Sequence, residues 1–362
     1  MTLWDQSLPN VRAISPYLPG KPITQLSREL GIPTERIIKL ASNENPLGMS
    51  PKARIAVEKA IASLERYPDD YELKSALASR TGLGMERFVL GNGSNDVLDL
   101  IARVFLAQGR SAVFAQHAFA VYPLATLSAG GEPICVPAKD FGHDLDAMLR
   151  AIRPDTRLVW IANPNNPTGT FLPYDQLKAF VAAVPSDVLV VIDEAYNEYI
   201  PQTERVDTAA WLAEFPNLVI TRTFSKIYGL AGLRVGYAMA SAEVADLMNR
   251  VRQPFNCNNL AIAGVAAALE DEAFVDRSYA LNRAGMEQIV CGLKRLGYAH
   301  IPSHGNFLAF NAGDAVALNQ NLLKQGVIVR PIAGYGMPEW LRVTIGSETE
   351  NARFLEALEL AQ

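Results

Sequence analysis

Val188-Leu-Val-Val-Ile-Asp193-Glu194-Ala-Tyr196 is the stretch from which the fold is best read. Five consecutive apolar residues with no polar alternation describe a strand buried on both faces, as in the interior of a mostly parallel sheet. Asp193 then stands at the end of a central strand, where a lone carboxylate is costly unless it finds a cationic partner. An apolar strand closed by an acid also occurs in P-loop ATPases, but no G-x-x-x-x-G-K-[ST] loop exists in the chain, which argues against a nucleotide.

On either side of this stretch, similar unbroken runs recur at Phe88-Val-Leu, Ala112-Val-Phe, Pro133-Ile-Cys-Val, Leu158-Val-Trp-Ile, Leu218-Val-Ile and Val235-Gly-Tyr-Ala. Between them lie segments of helical spacing, as in Leu98, Ile101, Ala102 and Phe105. Alternation of this kind predicts a doubly wound α/β sheet. Beyond residue 250 the texture changes. Asn259 to Leu269 and Phe274 to Leu296 read as helices, followed by strands at Asn306-Phe-Leu-Ala-Phe, Val327-Ile-Val-Arg330 and Leu341-Arg-Val-Thr-Ile with helices at 314–325 and 348–361. These predict a smaller α+β domain. The Pro-rich first 35 or so residues read as an arm with one short helix near Ile23 to Leu30. The expected division is a large domain over 38–270, and a small domain made of 1–37 together with 271–362.

Composition narrows the function classes. The 362 residues carry 33 Lys and Arg against 38 Asp and Glu, a net charge of −5, the wrong sign for binding a nucleic-acid backbone. No apolar run approaches the roughly 20 residues needed to span a bilayer, so no membrane partner is expected. The start, Met1-Thr-Leu-Trp-Asp-Gln, lacks the pattern of a secretory leader, and three scattered cysteines suit a reducing compartment. A cytoplasmic location follows as an expectation. Four histidines without H-E-x-x-H spacing give no reason to expect a metal.

Four polar motifs sit directly after strand runs: Gly91-Asn-Gly-Ser94-Asn95-Asp, Asn163-Pro-Asn-Asn166-Pro-Thr-Gly, Asp193-Glu-Ala-Tyr196 and Ser225-Lys226. In open α/β sheets ligands bind outside the carboxyl ends of the strands, so these four can converge on one crevice. Each alone has a bland reading. The Gly91–Asp96 turn can expose helix N–H groups to a phosphate, or be an ordinary junction capped by Asn95. Lys226, in a glycine-punctuated apolar loop, can be a desolvated amine nucleophile or the salt-bridge partner of Asp193. Arg234 suits bidentate phosphate binding beside the Ser225 hydroxyl, and Arg330 and Arg342 on two C-terminal strands suit a doubly anionic substrate.

Together, Asn166-Pro-Thr-Gly, Asp193-Glu-Ala-Tyr196 and Ser225-Lys226-x-x-Gly-Leu-Ala-Gly-Leu-Arg234 resemble the fold-type I pyridoxal-phosphate aminotransferases. Leu40-Ala-Ser-Asn-Glu-Asn-Pro-Leu-Gly, Arg66-Tyr67-Pro-Asp, Gly326-Val-Ile-Val-Arg330-Pro and Leu341-Arg342-Val-Thr-Ile-Gly resemble the histidinol-phosphate branch of that family, over essentially the whole chain. The resemblance implies a three-layer α/β/α large domain, pyridoxal 5′-phosphate as cofactor, and reversible amino transfer between L-histidinol phosphate and 2-oxoglutarate in histidine biosynthesis. It also implies roles. Lys226 would form the Schiff base and shuttle the proton, Asp193 would pair with the pyridinium nitrogen, and Asn166 and Tyr196 would bond the phenolate oxygen. Ser94, Asn95, Ser225 and Arg234 would hold the phosphate, and Phe119 would stack on the ring. Tyr67 would reach the phosphate of a neighbouring subunit in a homodimer. Arg342 and Arg330 would take the substrate's anionic ends, with Tyr17 and Glu44 near the entrance. His117-Ala118 departs from the aromatic segment common in relatives. Rival implications are a broad aromatic aminotransferase, a threonine-phosphate decarboxylase, and a non-catalytic binding protein, the last disfavoured by retention of Lys226, Asp193 and Arg234.

Overall fold

A computed structural model describes residues 1–17 and 19–361. Twelve strands are defined among these residues: β1 (Ile38–Lys39), β2 (Phe88–Gly91), β3 (Ser111–Ala115), β4 (Glu132–Val136), β5 (Thr156–Ala162), β6 (Leu189–Asp193), β7 (Leu218–Thr223), β8 (Gly236–Met239), β9 (Phe307–Asn311), β10 (Val327–Ile328), β11 (Arg330–Pro331) and β12 (Trp340–Thr344). Every apolar run named between residues 88 and 240 becomes a strand of one seven-stranded sheet, ordered β2-β8-β7-β6-β5-β3-β4. Strands β7, β6, β5, β3 and β4 are parallel, while β8 runs against both β7 and β2. Two reversals return β2 to the direction of β7. The carboxyl ends of β2, β5, β6 and β7, where the four polar motifs begin, therefore share one edge of the sheet.

The core explains why the runs are unbroken: Trp160, Val190, Val191, Ile192, Val219 and Ile220 are all fully buried. Helix Ser94–Phe105 turns Val97, Leu98, Ile101 and Ala102 onto the sheet, as the spacing predicts. Helices Pro51–Ala60 and Tyr71–Thr81 occupy a segment to which the sequence pattern assigns no element. Pro51–Ala60 lies against Asn259–Leu269, and a Cβ added at Gly264 would press on Val57, so the close approach of the two helices requires the missing side chain. Glu194 and Arg222 form an ion pair beneath the sheet edge at 2.8 Å, with side chains only 2% and 14% exposed.

A second core gathers Leu40 with Ile289, Leu308, Phe310, Val343 and Phe354, around the antiparallel sheet β11-β12-β9. The run Val327–Arg330, expected as one strand, is divided. β10 pairs in parallel with β1 and β11 pairs with β12, so the chain crosses between two small sheets at Val329. What pulls β10 away is the incoming chain: Ile38 N–H donates to Gly326 O and Leu40 N–H to Ile328 O, at 2.9 and 2.8 Å. The arm carries the expected helix Ile23–Leu30, preceded by single turns at Leu3–Gln6 and Pro9–Arg12 that bury nothing.

Candidate active site

At the end of β2, Gly93 takes φ +86 and caps helix Ser94–Phe105 without a side-chain bond. Gly93, and not Asn95, is thus the N-cap, and the first N–H groups of the helix stay available to an anion. A Cβ at Gly93 would collide with the Arg234 guanidinium. Arg234, itself left-handed at φ 60, sends Nη1 to Ser225 Oγ at 3.4 Å and to Ala231 O at 3.0 Å. Asp96 holds the turn by accepting from Asn92 N–H at 2.8 Å and Asn256 Nδ2 at 2.9 Å.

Asp193, 5% exposed, closes β6 and accepts from the Ala195 N–H and from two hydroxyls: Tyr122 OH to Oδ2 at 3.0 Å and Thr221 Oγ1 to Oδ1 at 3.1 Å. Burial pushes its carboxyl up to about 6, against the pull of those hydroxyls. Among the described residues Asp193 has no salt-bridge partner, and the alternative of a structural Lys226–Asp193 pair is not what the fold builds. Lys226 Nζ donates to Ser42 O at 3.3 Å and lies 5.7 Å from the centre of the Tyr196 ring. Burial, then the Arg342 charge, lowers its ammonium to about 8. Tyr196 OH accepts from Asn43 Nδ2 at 2.9 Å, and burial raises that phenol to about 12. Asn43 has φ 56, a backbone state that Asn tolerates, and Thr344 Oγ1 locks the turn by accepting Asn43 N–H at 2.9 Å.

The small sheet supplies the opposite wall. Arg330 and Arg342 are register partners on β11 and β12, an arrangement that is unfavourable for like charges unless an anion joins them. Arg342 is 5% exposed, bonds Asn166 Oδ1 through Nη1 and Ala41 O through Nη2 at 2.9 Å, and leaves Nε without a partner. Arg330 Nη2 donates to Tyr17 OH at 3.2 Å, and its guanidinium carbon lies 5.4 Å from the centre of that ring. Glu44 pairs with Lys39 at 3.0 Å.

These groups meet in one cavity of about 410 Å³, lined by Tyr17, Glu44, Ser94, Asn95, Phe119, Asn166, Asp193, Tyr196, Ser225, Lys226, Arg234, Arg330 and Arg342. Thirteen of the fourteen residues singled out from the sequence are therefore together. Tyr67 is not among them: it is 80% exposed, its ring stacked on Phe255 at 4.5 Å. His117 stays outside the cavity wall, with Nδ1 at 2.7 Å from Tyr335 O. Sequence reasoning misses Asn43, Thr223 and Tyr335, which also line the cavity. Asn43 was within reach, because it lies in the Leu40–Gly48 motif, whereas nothing local marks Tyr335. Among the described residues no three His, Cys, Asp or Glu side chains gather to hold a metal ion.

The cavity can hold an anion at Arg234 and the helix terminus, a cation at Asp193, and an electrophilic carbon at the Lys226 amine. That is the charge pattern of a phosphorylated pyridine aldehyde, and the unpaired buried carboxylate is the feature that needs such a group. The family profile described as Aminotransferase class I and II matches residues 35–358, and the chain belongs to that family of enzymes. "Histidinol-phosphate aminotransferase 1" of Dechloromonas aromatica is 74% identical over the full length of both chains. "Histidinol-phosphate aminotransferase 2" of Nitrosospira multiformis is 60% identical, covering 100% of this chain and 93% of its own. Among solved structures, histidinol-phosphate aminotransferase from Sinorhizobium meliloti in complex with pyridoxal-5′-phosphate superposes with a TM-score of 0.90 at 27% identity, over 98% of this chain and 97% of the other.

Proposed function

We propose that the chain catalyses reversible transamination of L-histidinol phosphate with 2-oxoglutarate, giving imidazole acetol phosphate and L-glutamate, a step of histidine biosynthesis. The cofactor is pyridoxal 5′-phosphate, and it supplies an electron sink for the pair of electrons left when the substrate Cα loses its proton. The observation that carries the reading is Asp193, a buried carboxylate on the cavity wall with no salt-bridge partner among the described residues.

In this reading Asp193 holds the ring nitrogen protonated, as an opposite charge in contact does. Ser94, Asn95, Ser225 and Arg234 bind the phosphate, and Phe119 packs on the ring face. Tyr196 and Asn166 bond the phenolate oxygen. With Asn166 Oδ1 taken by Arg342, the amide nitrogen is the donor left for that bond. Lys226 Nζ would hold the cofactor at its carbonyl carbon and, once the substrate's amino group displaces it there, would be the free amine that moves the proton at the substrate Cα, a task suited to an ammonium lowered to about 8. Arg342 takes the α-carboxylate of glutamate, and Arg330 takes the phosphate of histidinol phosphate or the side-chain carboxylate of glutamate, with Tyr17 and Glu44 at the entrance. Tyr67, exposed and outside its own cavity, reaches the phosphate site of a second copy in a homodimer. Two hydrophobic cores support a large and a small domain, which we assign to 38–270 and to 1–37 with 271–362, although Ile38 and Leu40 pack into the small-domain core and Phe307 into the large one. Three free cysteines fit a cytoplasmic protein, and among the described residues no helix is long and apolar enough to cross a membrane.

The test is Lys226→Ala. Wild type should bind the cofactor with visible absorbance and form glutamate from histidinol phosphate and 2-oxoglutarate, and the variant should lose turnover while keeping its fold. Full activity in the variant removes Lys226 from its role.

A further inference from the structure

Asp193 is held from behind by a residue that never reaches the cavity. Tyr122, in helix Val121–Ser128, is fully buried, and its hydroxyl has Asp193 Oδ2 as its acceptor at 3.0 Å. Its ring lies parallel to Trp160 of β5 at 5.4 Å and 1°, and edge-on to Phe119 at 5.9 Å and 87°. Trp160 is pinned in turn, its Nε1 donating to the buried Thr126 Oγ1 at 3.2 Å. Between a fixed indole and the ring that lines the cavity, Tyr122 has no freedom to turn its hydroxyl away.

We infer that Tyr122 is a positioning residue for Asp193: its hydroxyl, with that of Thr221, orients the carboxylate toward the cavity and keeps it ionised there. The inference rests on the cofactor reading above. A hydrogen bond to the charged form of a buried carboxylate favours that form, and a donor clamped by packing gives direction as well as charge stabilisation. Tyr122 can only donate in this setting, because burial, followed by the Asp193 charge, raises its phenol well above its ordinary value. The other titratable groups facing Asp193 are Glu194 and Tyr196 on the continuation of its own strand and Lys226 beyond β7; Thr221 on β7 is neutral. None of them can replace a donor aimed at Oδ2.

Tyr122→Phe keeps the ring and its stacking and removes only the hydroxyl. In the holoenzyme the acid limb of the kcat/KM profile should move toward neutral pH by about one unit, the tenfold change that one lost charge-assisted bond produces. At pH 7 kcat should fall by about tenfold with KM within twofold, and the cofactor dissociation constant should rise by a similar factor. A merely structural tyrosine would lower Tm without moving the acid limb. Should Tyr122→Phe fail to fold, Thr221→Val removes the other hydroxyl donor and must move the acid limb in the same direction. An unchanged limb and cofactor affinity in the folded variants overturns the inference. Wild-type protein that binds no pyridoxal phosphate would instead overturn the reading on which it rests.

Discussion

Asp193 and Lys226 are each held in the charge state that costs folding stability, which ties the chemistry to a measurable stability effect. The Asp193 carboxyl is raised from an ordinary 3.8 to about 6, so between those values the folded protein binds a proton that the unfolded chain does not. Stability of the cofactor-free protein therefore declines as pH rises through that window, and the penalty is complete above about pH 6. A rise of that size costs at most about 3 kcal/mol. Asp193→Asn should accordingly stabilise the cofactor-free protein at pH 8 by about 1–3 kcal/mol, lose most of that gain near pH 4, and abolish turnover. Thermal unfolding at the two pH values checks this, and no gain at pH 8 counts against the buried, unpaired carboxylate. At this scale the sequence was informative because reactive residue types followed strand ends; it could not tell a Lys226–Asp193 ion pair from two separated groups, since that depends on which way each side chain leaves the sheet edge.

Among the elements, the turn between β2 and helix Ser94–Phe105 has the tightest requirement. Gly93 adopts φ +86 with the Arg234 guanidinium where a Cβ would lie, so Gly93→Ala combines backbone strain with displacement of Arg234, the residue proposed to hold the cofactor phosphate. We expect cofactor affinity to fall by about 10- to 100-fold, at about 1.4 kcal/mol per tenfold, with the helix retained by circular dichroism. Unchanged affinity would separate Arg234 from the phosphate. Buried strands are legible because a strand covered on both faces is apolar along its length, as β6 is at every residue before its terminal Asp193. The division of Val327–Pro331 was not, because its two halves answer to β1 and β12, partners that lie far apart in sequence. Helices Pro51–Ala60 and Tyr71–Thr81 also escape notice in the sequence, since few of their residues are buried and the apolar pattern is correspondingly thin.

For the whole molecule, a net charge of −5 conceals a cavity where Lys226, Arg234, Arg330 and Arg342 meet, with Glu44 already paired to Lys39. The exposed Tyr67–Phe255 stack lies outside it, and subunit mixing tests whether Tyr67 acts across a dimer. Lys226→Ala and Tyr67→Ala proteins, each inactive or impaired, should regain activity on mixing, up to about a quarter of wild type if half the dimers are hybrid and each has one intact site. No recovery, in a mixture shown to contain hybrids, places Tyr67 outside the neighbouring site.

Substrate choice is decided by kcat/KM for L-histidinol phosphate, phenylalanine and threonine phosphate with 2-oxoglutarate as acceptor, measured on wild type and Arg330→Ala. Histidinol phosphate should be favoured by wild type with no CO₂ released, and Arg330→Ala should reduce its kcat/KM far more than that of phenylalanine. A preference for phenylalanine, CO₂ from threonine phosphate, or equal losses on all three in Arg330→Ala would rule out histidinol phosphate as the substrate bound through Arg330.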